Sequence, residues 1–128
     1  MPPLSHDALT GLKILVVEDS FLIAEHVSEL LSEYGCVVVG PVGRLAAGLK
    51  LVEDGTAVDG AVLDVNLDGE FCFPIAAALV RRAVPFLFLT GYDDSDIIPG
   101  DFAAAPRLGK PLDEAQLVRT VATDFARR

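Results

Sequence analysis

Short apolar runs rich in β-branched residues alternate along this chain with segments whose apolar residues recur at the spacing of a helix. The runs predict five strands, at residues 12–17, 36–39, 60–64, 86–89 and 107–109. The segments between and after them predict about five helices. Strands that alternate with helices form a parallel sheet covered on both faces. The pattern therefore predicts one α/β domain with a doubly wound sheet.

Two segments depart from this alternation. Residues 1–11 contain two prolines, a serine, an aspartate and a glycine, and they predict a flexible N-terminal tail before a domain over residues 12–128. The fourth helix would lie within residues 93–106, where Pro99 and Gly100 stand in mid-segment. Because proline and glycine break a regular helix, we expect a short or irregular element there.

Composition and charge exclude several classes of protein. The 128 residues are 52% hydrophobic and 23% charged, which is typical of a globular domain and not of a disordered chain. A formal charge of −9 disfavours binding to nucleic acid or to an anionic membrane. The sequence shows neither a membrane helix nor the pattern of a signal peptide. We expect Cys36 and Cys72 to be free thiols in a reducing cytoplasm.

Polar residues stand where four of the predicted strands end. They are Glu18 and Asp19 after the first strand, Asp64 at the third, Thr90 at the fourth and Lys110 after the fifth. In a flavodoxin-like sheet of order 2-1-3-4-5 these strands are neighbours, and ligands bind beyond their carboxyl ends. Three converging carboxylates require a cation, for which Mg²⁺ is the usual choice in phosphate chemistry. A lysine and a hydroxyl opposite them fit a phosphoryl group, and an aspartate can be its nucleophile.

With these residues at its strand ends, the chain resembles the receiver domain of bacterial two-component response regulators over about residues 12–126. The matching motifs are Val16-Val17-Glu18-Asp19-Ser20, Leu63-Asp64-Val65-Asn66-Leu67-Asp68-Gly69, Leu89-Thr90-Gly91 and Gly109-Lys110-Pro111. The resemblance implies that Asp64 accepts phosphate from a phosphohistidine on a sensor kinase. It also implies that Asp19, Asp64 and the Asn66 carbonyl bind Mg²⁺, while Glu18 acts through a metal-bound water.

The resemblance further implies which residues would hold the phosphoryl group. Lys110 would pair with Asp64 or with its phosphate, and Thr90 would move in to contact the phosphoryl group. The backbone amide of Gly91 would assist Thr90. In the same family the peptide between Lys110 and Pro111 is cis, so we expect a cis bond here.

The sequence also departs from the commonest pattern of these receivers. Many of them carry a switch tyrosine or phenylalanine three residues before the lysine, where this chain has Arg107. The stretch from Pro85 to Tyr92 resembles a receiver subgroup with the motif Phe-Ala-Thr-Gly-Tyr, with Leu89 in place of the alanine. That subgroup lacks the switch aromatic and tends to have an irregular fourth helix. Two interpretations of Tyr92 stay open, a gate of the site and a half-buried loop aromatic.

We therefore expect a stand-alone cytoplasmic phosphoacceptor that is served by a histidine kinase or a phosphotransfer protein and catalyses only its own phosphorylation and dephosphorylation. It would signal to an unknown output protein, by direct contact or phosphorelay, as a monomer or weak dimer. One alternative is a receiver excised from a larger response regulator or hybrid kinase. Others are a phosphate-independent binding module and a phosphatase with an Asp nucleophile. Such phosphatases usually have a second acid two residues later, where this chain has Asn66.

Overall fold

The fold is described from a computed structural model, which covers residues 9–91 and 94–125. The five parallel strands of its main sheet are β1 (Lys13–Val17), β2 (Val37–Val42), β3 (Gly60–Asp64), β4 (Phe86–Thr90) and β5 (Arg107–Gly109). Their order across the sheet is β2-β1-β3-β4-β5, which confirms the predicted order. A separate two-stranded antiparallel hairpin, Asn66–Leu67 with Glu70–Phe71, follows β3.

Four α-helices connect and flank the strands. They are α1 (Phe21–Glu33), α2 (Leu45–Glu53), α3 (Phe73–Arg81) and α4 (Glu114–Asp124). The hydroxyl of Ser20 accepts a hydrogen bond from the Ile23 N–H at 3.4 Å and caps α1, as the sequence predicts. The carboxylate of Asp113 caps α4 in the same way, accepting from the Gln116 N–H at 3.0 Å.

The predicted irregular element between β4 and β5 is confirmed. In place of a helix the structure has two short 3-10 helices, Asp94–Ile97 and Gly100–Phe102, on either side of Pro99. Ile98 and Phe102 are 8% and 9% exposed and fix this segment to the core. A few apolar anchors, and not a continuous ladder of helical hydrogen bonds, therefore hold this part of the chain.

The central strands carry side chains into two apolar layers. Phe86 and Phe88 of β4 pack with residues of α2 and α3, whereas Leu87 and Leu89 pack with residues of α1 and α4. Every residue of β3 and β4 is buried. Truncating a buried phenylalanine to alanine costs roughly 3–5 kcal/mol, so these layers hold the strand ends in fixed positions.

The second strand is longer than predicted. It continues through Gly40 and Pro41, where the sequence predicts a turn, and ends at Val42. The pairing with β1 changes register between Leu15 and Val17. Gly40 and Pro41, on the opposite strand, therefore fall within a bulge. A bulge accommodates an extra residue and a positive φ, and Gly40 has a φ of 94°.

The N-terminal boundary also differs from the expected one. Leu9 is 2% exposed, and its N–H donates to the Tyr34 carbonyl at 3.1 Å. Residues 9–11 therefore pack against the end of α1 and do not belong to the predicted tail, because Leu9 fills an apolar site. The rest of that tail, residues 1–8, lies outside the described residues.

The sequence predicts free cysteines and no membrane helix. Cys36 and Cys72 are buried free thiols, as predicted. Among the described residues, the helices do not combine the length and the apolar character that crossing a membrane would require.

Candidate functional site

The sheet brings the predicted acidic residues to one edge. Glu18 and Asp19 follow β1 directly, and Asp64 is the last residue of β3. One carboxylate oxygen from each of the three lies within 4.8 Å of the others. The convergence predicted from the strand ends is therefore present in the structure.

Lys110 enters this cluster from the end of β5. Its Nζ lies 3.2 Å from Asp64 Oδ1 and 3.3 Å from Glu18 Oε1. Burial lowers the pKa of Lys110, but the charges of Asp64 and Glu18 outweigh that effect and hold the pKa above its usual value. The lysine therefore stays positively charged, yet one cation faces three carboxylates.

The buried carboxylate of Glu18 is only partly satisfied. Its Oε2 accepts a hydrogen bond from the Ser20 N–H at 3.1 Å. Its Oε1 forms the ion pair with Lys110 but accepts no hydrogen bond from the described part of the chain. Buried polar atoms are rarely left without partners. An unsatisfied oxygen within a cluster of excess negative charge fits the oxygen ligands that a hard divalent cation prefers.

The same crowding changes the acidity of the cluster. Burial raises the pKa of Asp64 to about 8, helped by hydrogen bonds to Asp19 and Glu18 and by the charge of Glu18. Burial also acts to raise the pKa of Asp19, but its hydrogen bonds with Asp64 and Glu18 prevail and lower it. Asp64 therefore retains a proton at neutral pH unless more positive charge arrives.

Asn66 stands at the start of the hairpin after Asp64. Its side-chain Oδ1 accepts a hydrogen bond from the Gly69 N–H at 2.7 Å. Asp68 and Gly69 in the turn both have positive φ, 54° and 93°. This hairpin is absent from the sequence prediction, although an Asp-Gly pair between two short runs is the usual signal of such a turn. The turn fixes the backbone that carries the Asn66 carbonyl.

The two phosphate-binding groups expected at the end of β4 are both engaged within the protein. Thr90 is 6% exposed, and its hydroxyl donates to the Leu108 carbonyl at 3.4 Å. The N–H of Gly91 donates to Asp94 Oδ2 at 2.7 Å. Asp94 is not among the residues that the strand-end pattern predicts for the site. An acid three residues after a backbone N–H is, however, the spacing of a side-chain cap.

Three further expectations concern the neighbourhood of the site. The Lys110–Pro111 peptide is cis, as the resemblance implies. Arg107 is exposed at the start of β5, in the place of the switch aromatic. Tyr92 lies outside the described residues.

Comparisons with known proteins agree with this geometry. The profile of the response regulator receiver domain matches residues 14–122. The solution structure of SdrG from Sphingomonas melonis Fr1 is 41% identical, with a TM-score of 0.75 over 90% of this chain and 95% of that chain. The BeF3-activated conformation of SdrG from Pseudomonas melonis Fr1 is 39% identical, with a TM-score of 0.69 over 87% of this chain and 94% of that chain.

A more distant neighbour supports the fold alone. The response regulator receiver protein from Sinorhizobium medicae WSM419 is 22% identical, with a TM-score of 0.77 over 90% of this chain and 94% of that chain. No curated protein sequence gives a significant match. Since the receiver profile extends from β1 into α4 and the sheet has the flavodoxin-like order, the chain belongs to the response regulator receiver domain family.

Proposed function

We propose that this receiver is a phosphoacceptor whose Asp64 takes a phosphoryl group from a phosphohistidine in a Mg²⁺-dependent reaction. The observation that carries the proposal is the buried Asp64 carboxylate, which contacts Lys110 at 3.2 Å with two more carboxylates beside it. A structural ion pair does not need two extra acids, the buried Glu18 and the exposed Asp19, whose repulsion destabilises the fold. A site that receives both a cation and a phosphoryl group does need them.

The transfer step uses the ionised form of Asp64. A carboxylate oxygen attacks phosphorus, and the new O–P bond forms as the P–N bond to the donor imidazole breaks. The electron pair of the broken bond leaves with the imidazole, which takes up a proton. Lys110 is already held on Asp64 Oδ1, where its charge can also contact an oxygen of the attached phosphoryl group.

The acidic cluster suits a magnesium ion held by Asp19, Asp64 and the Asn66 carbonyl, with Glu18 bound through a water. The ion would supply the positive charge that keeps Asp64 ionised and neutralises the phosphoryl oxygens. Thr90 and Gly91 at the end of β4 would hold the phosphoryl group once their present hydrogen bonds are exchanged. These roles rest on the family motif together with the positions of the residues at one sheet edge.

A protein donor is favoured over a small phosphorylated metabolite. Phe21 and Leu22 begin α1, one residue after the acidic pair, and each is 75% exposed. Two exposed apolar side chains at the rim of a polar site are suited to contact with another protein. The donor would be a histidine kinase or a phosphotransfer protein in the bacterial cytoplasm, and the output would be protein contact or phosphorelay.

The proposal is tested by acetyl phosphate and Mg²⁺ with intact-mass detection. The wild-type protein should gain one acid-labile phosphoryl group, and Asp64→Asn should gain none because an amide oxygen is a poor nucleophile. Asp68→Asn is the matched control, since the exposed residue has a φ of 54° that asparagine also adopts. Acid-labile phosphate on Asp64→Asn, or none on the wild type, would refute the proposal.

A further inference from the structure

The amide that would hold the phosphoryl group already binds an anion of the protein itself. The Gly91 N–H donates to Asp94 Oδ2 at 2.7 Å, and Asp94 returns a weaker bond from its own N–H to the Gly91 carbonyl at 3.4 Å. Asp94 is the first residue of the 3-10 helix Asp94–Ile97. These two hydrogen bonds therefore connect the end of β4 to the start of the irregular segment.

The carboxylate of Asp94 belongs to the same electrostatic environment as Asp64. Burial raises the pKa of the Cys72 thiol to about 12, and the charges of Asp64 and Asp94 both add to this rise. A Cβ placed on Gly91 would lie 3.1 Å from Asp94 Oδ2, which shows how closely the carboxylate covers the amide. Asp94 is therefore half-buried, with its carboxylate against the Gly91 amide.

We propose that Asp94 is an internal competitor of the phosphoryl group for the Gly91 amide, and that phosphorylation of Asp64 displaces it. This inference rests on the proposed phosphoacceptor function. A backbone amide has one hydrogen to donate, and a charge-assisted bond at 2.7 Å uses it fully. The incoming phosphoryl oxygens also repel the Asp94 carboxylate, so the two anions exclude each other at this donor.

Displacement of Asp94 would carry the signal out of the pocket. Loss of its bond to Gly91 frees the first residue of the 3-10 helix, and the segment up to Phe102 becomes able to rearrange. That route needs no aromatic ring at residue 107, where the chain has arginine. The bond between Gly91 and Asp94 also weakens binding of the phosphoryl group, because that group must replace it.

The experiment titrates beryllofluoride, a phosphoryl mimic, into the Mg²⁺-loaded protein and follows binding by NMR. Asp94→Ala should bind the mimic about tenfold more tightly than the wild type, the order expected for one competing hydrogen bond to a charged group. Asp94→Asn keeps an acceptor oxygen without the charge, and its affinity should fall between the two. In the free protein, both variants should shift the Gly91 amide resonance.

Asp96→Ala is the matched control, because it removes an exposed acid from the same 3-10 helix. Its affinity for beryllofluoride should stay within about twofold of the wild type, as for a screened surface charge. Equal tightening in Asp96→Ala would indicate a general charge effect and overturn the inference. Unchanged or weaker binding by both Asp94 variants would overturn it while the proposed function stands. Failure of the wild type to bind the mimic would overturn both.

Discussion

Lys110 Nζ lies 3.2 Å from Asp64 Oδ1 and thereby connects the end of β5 to the end of β3, across the strand between them. The intervening strand, β4, ends at Thr90, whose carbonyl accepts a hydrogen bond from the Lys110 N–H at 3.0 Å. The lysine is therefore fixed at its backbone by the neighbouring strand and at its ammonium group by the acidic cluster. These two contacts hold the positively charged ammonium group of Lys110 against the Asp64 carboxylate.

Replacing Lys110 with methionine should slow phosphorylation by acetyl phosphate by about a hundredfold, the order found when one preorganised charge-stabilising donor is removed. Methionine keeps much of the side-chain length but leaves Asp64 and Glu18 without their cation. The rate is measured by quenched intact-mass spectra. Lys50→Met is the control, because Lys50 is an exposed lysine paired with Asp54 on α2. Equal rates for Lys110→Met and the wild type would contradict the role assigned to Lys110.

Removal of divalent cations should abolish phosphorylation of the wild type. Glu18, Asp19 and Asp64 repel an incoming phosphoryl group, and Lys110 alone does not neutralise them. The reaction is run with acetyl phosphate in excess EDTA and then with Mg²⁺ restored. EDTA that has been saturated with Mg²⁺ controls for effects of the chelator. Equal phosphorylation in free and saturated EDTA would count against the metal site.

Asn66→Ala should lower the affinity for Mg²⁺, by about threefold to tenfold, without removing any ligand side chain. The substitution removes the hydrogen bond from the Gly69 N–H that holds the hairpin turn, a contact worth about 1 kcal/mol. The carbonyl of residue 66 then loses its fixed orientation. Calorimetric titration with Mg²⁺ measures the change. Asn66→Asp keeps the acceptor oxygen and should not weaken binding, so a similar loss in both variants would contradict this explanation.

The stability of the metal-free protein should fall as pH rises from about 4 to about 8. The pKa of Asp64 is raised from 3.8 to about 8 by folding, so across this range the folded state holds a proton that the unfolded chain has released. Stability falls wherever the folded state binds more protons, with a limit of about 1.4 kcal/mol per pH unit for one group. Asp19 has a lowered pKa and affects stability only at more acidic pH.

Urea denaturation in EDTA at several pH values checks this slope, and thermal unfolding in EDTA at pH 8 gives the Tm. Asp64→Asn should lose most of this dependence of stability on pH. At pH 8 its Tm should lie several degrees above that of the wild type, because about 1 kcal/mol shifts the Tm of such a domain by roughly 3–6 °C. Asp68→Asn should keep the wild-type slope. Parallel pH profiles for Asp64→Asn and the wild type would show that Asp64 does not carry the proton.

The convergence of Asp64 and Lys110 could be predicted because it follows from topology alone. Parallel strands with helical crossovers place all their carboxyl ends at one edge, so the residue after each strand is located once the strands are recognised. The apolar runs of β3 and β4 are long and rich enough to be recognised from sequence. The irregular segment was also predictable, since Pro99 and Gly100 act locally on the backbone.

Features that depend on tertiary contacts could not be read from the sequence. Gly40 and Pro41 signal a turn locally, but pairing with β1 absorbs them in a bulge of β2. Leu9 follows a run of helix and strand breakers, yet an apolar site near α1 and α4 buries it. The bond from Gly91 to Asp94 depends on the path of the loop after β4, which spacing alone does not determine.

The segment from residue 94 to residue 106 should gain protection from amide hydrogen exchange when Mg²⁺ and beryllofluoride bind. In the free protein its hydrogen bonds are few and short-range, such as Phe102 N–H to the Pro99 carbonyl at 3.0 Å and Ala103 N–H to the Gly100 carbonyl at 3.1 Å. Local stability is low where such bonds are few, so this part of the fold is the easiest to reorganise. Release of Asp94 from Gly91 on phosphorylation of Asp64 lets the segment rearrange, and we expect it to become ordered in its new position beside Thr90 and Gly91.

Exchange measured by mass spectrometry or NMR, with and without the phosphoryl mimic, separates this local effect from general stabilisation. The rise in protection should be largest between residues 94 and 106. It should be smaller in α1, which adjoins β1 and β2, and in α2, which adjoins α3. Mg²⁺ without beryllofluoride is the reference state, because it separates the effect of the cation from that of the phosphoryl group. If the segment is already as protected as β3 before the mimic is added, a transition from disorder to order cannot be the switch.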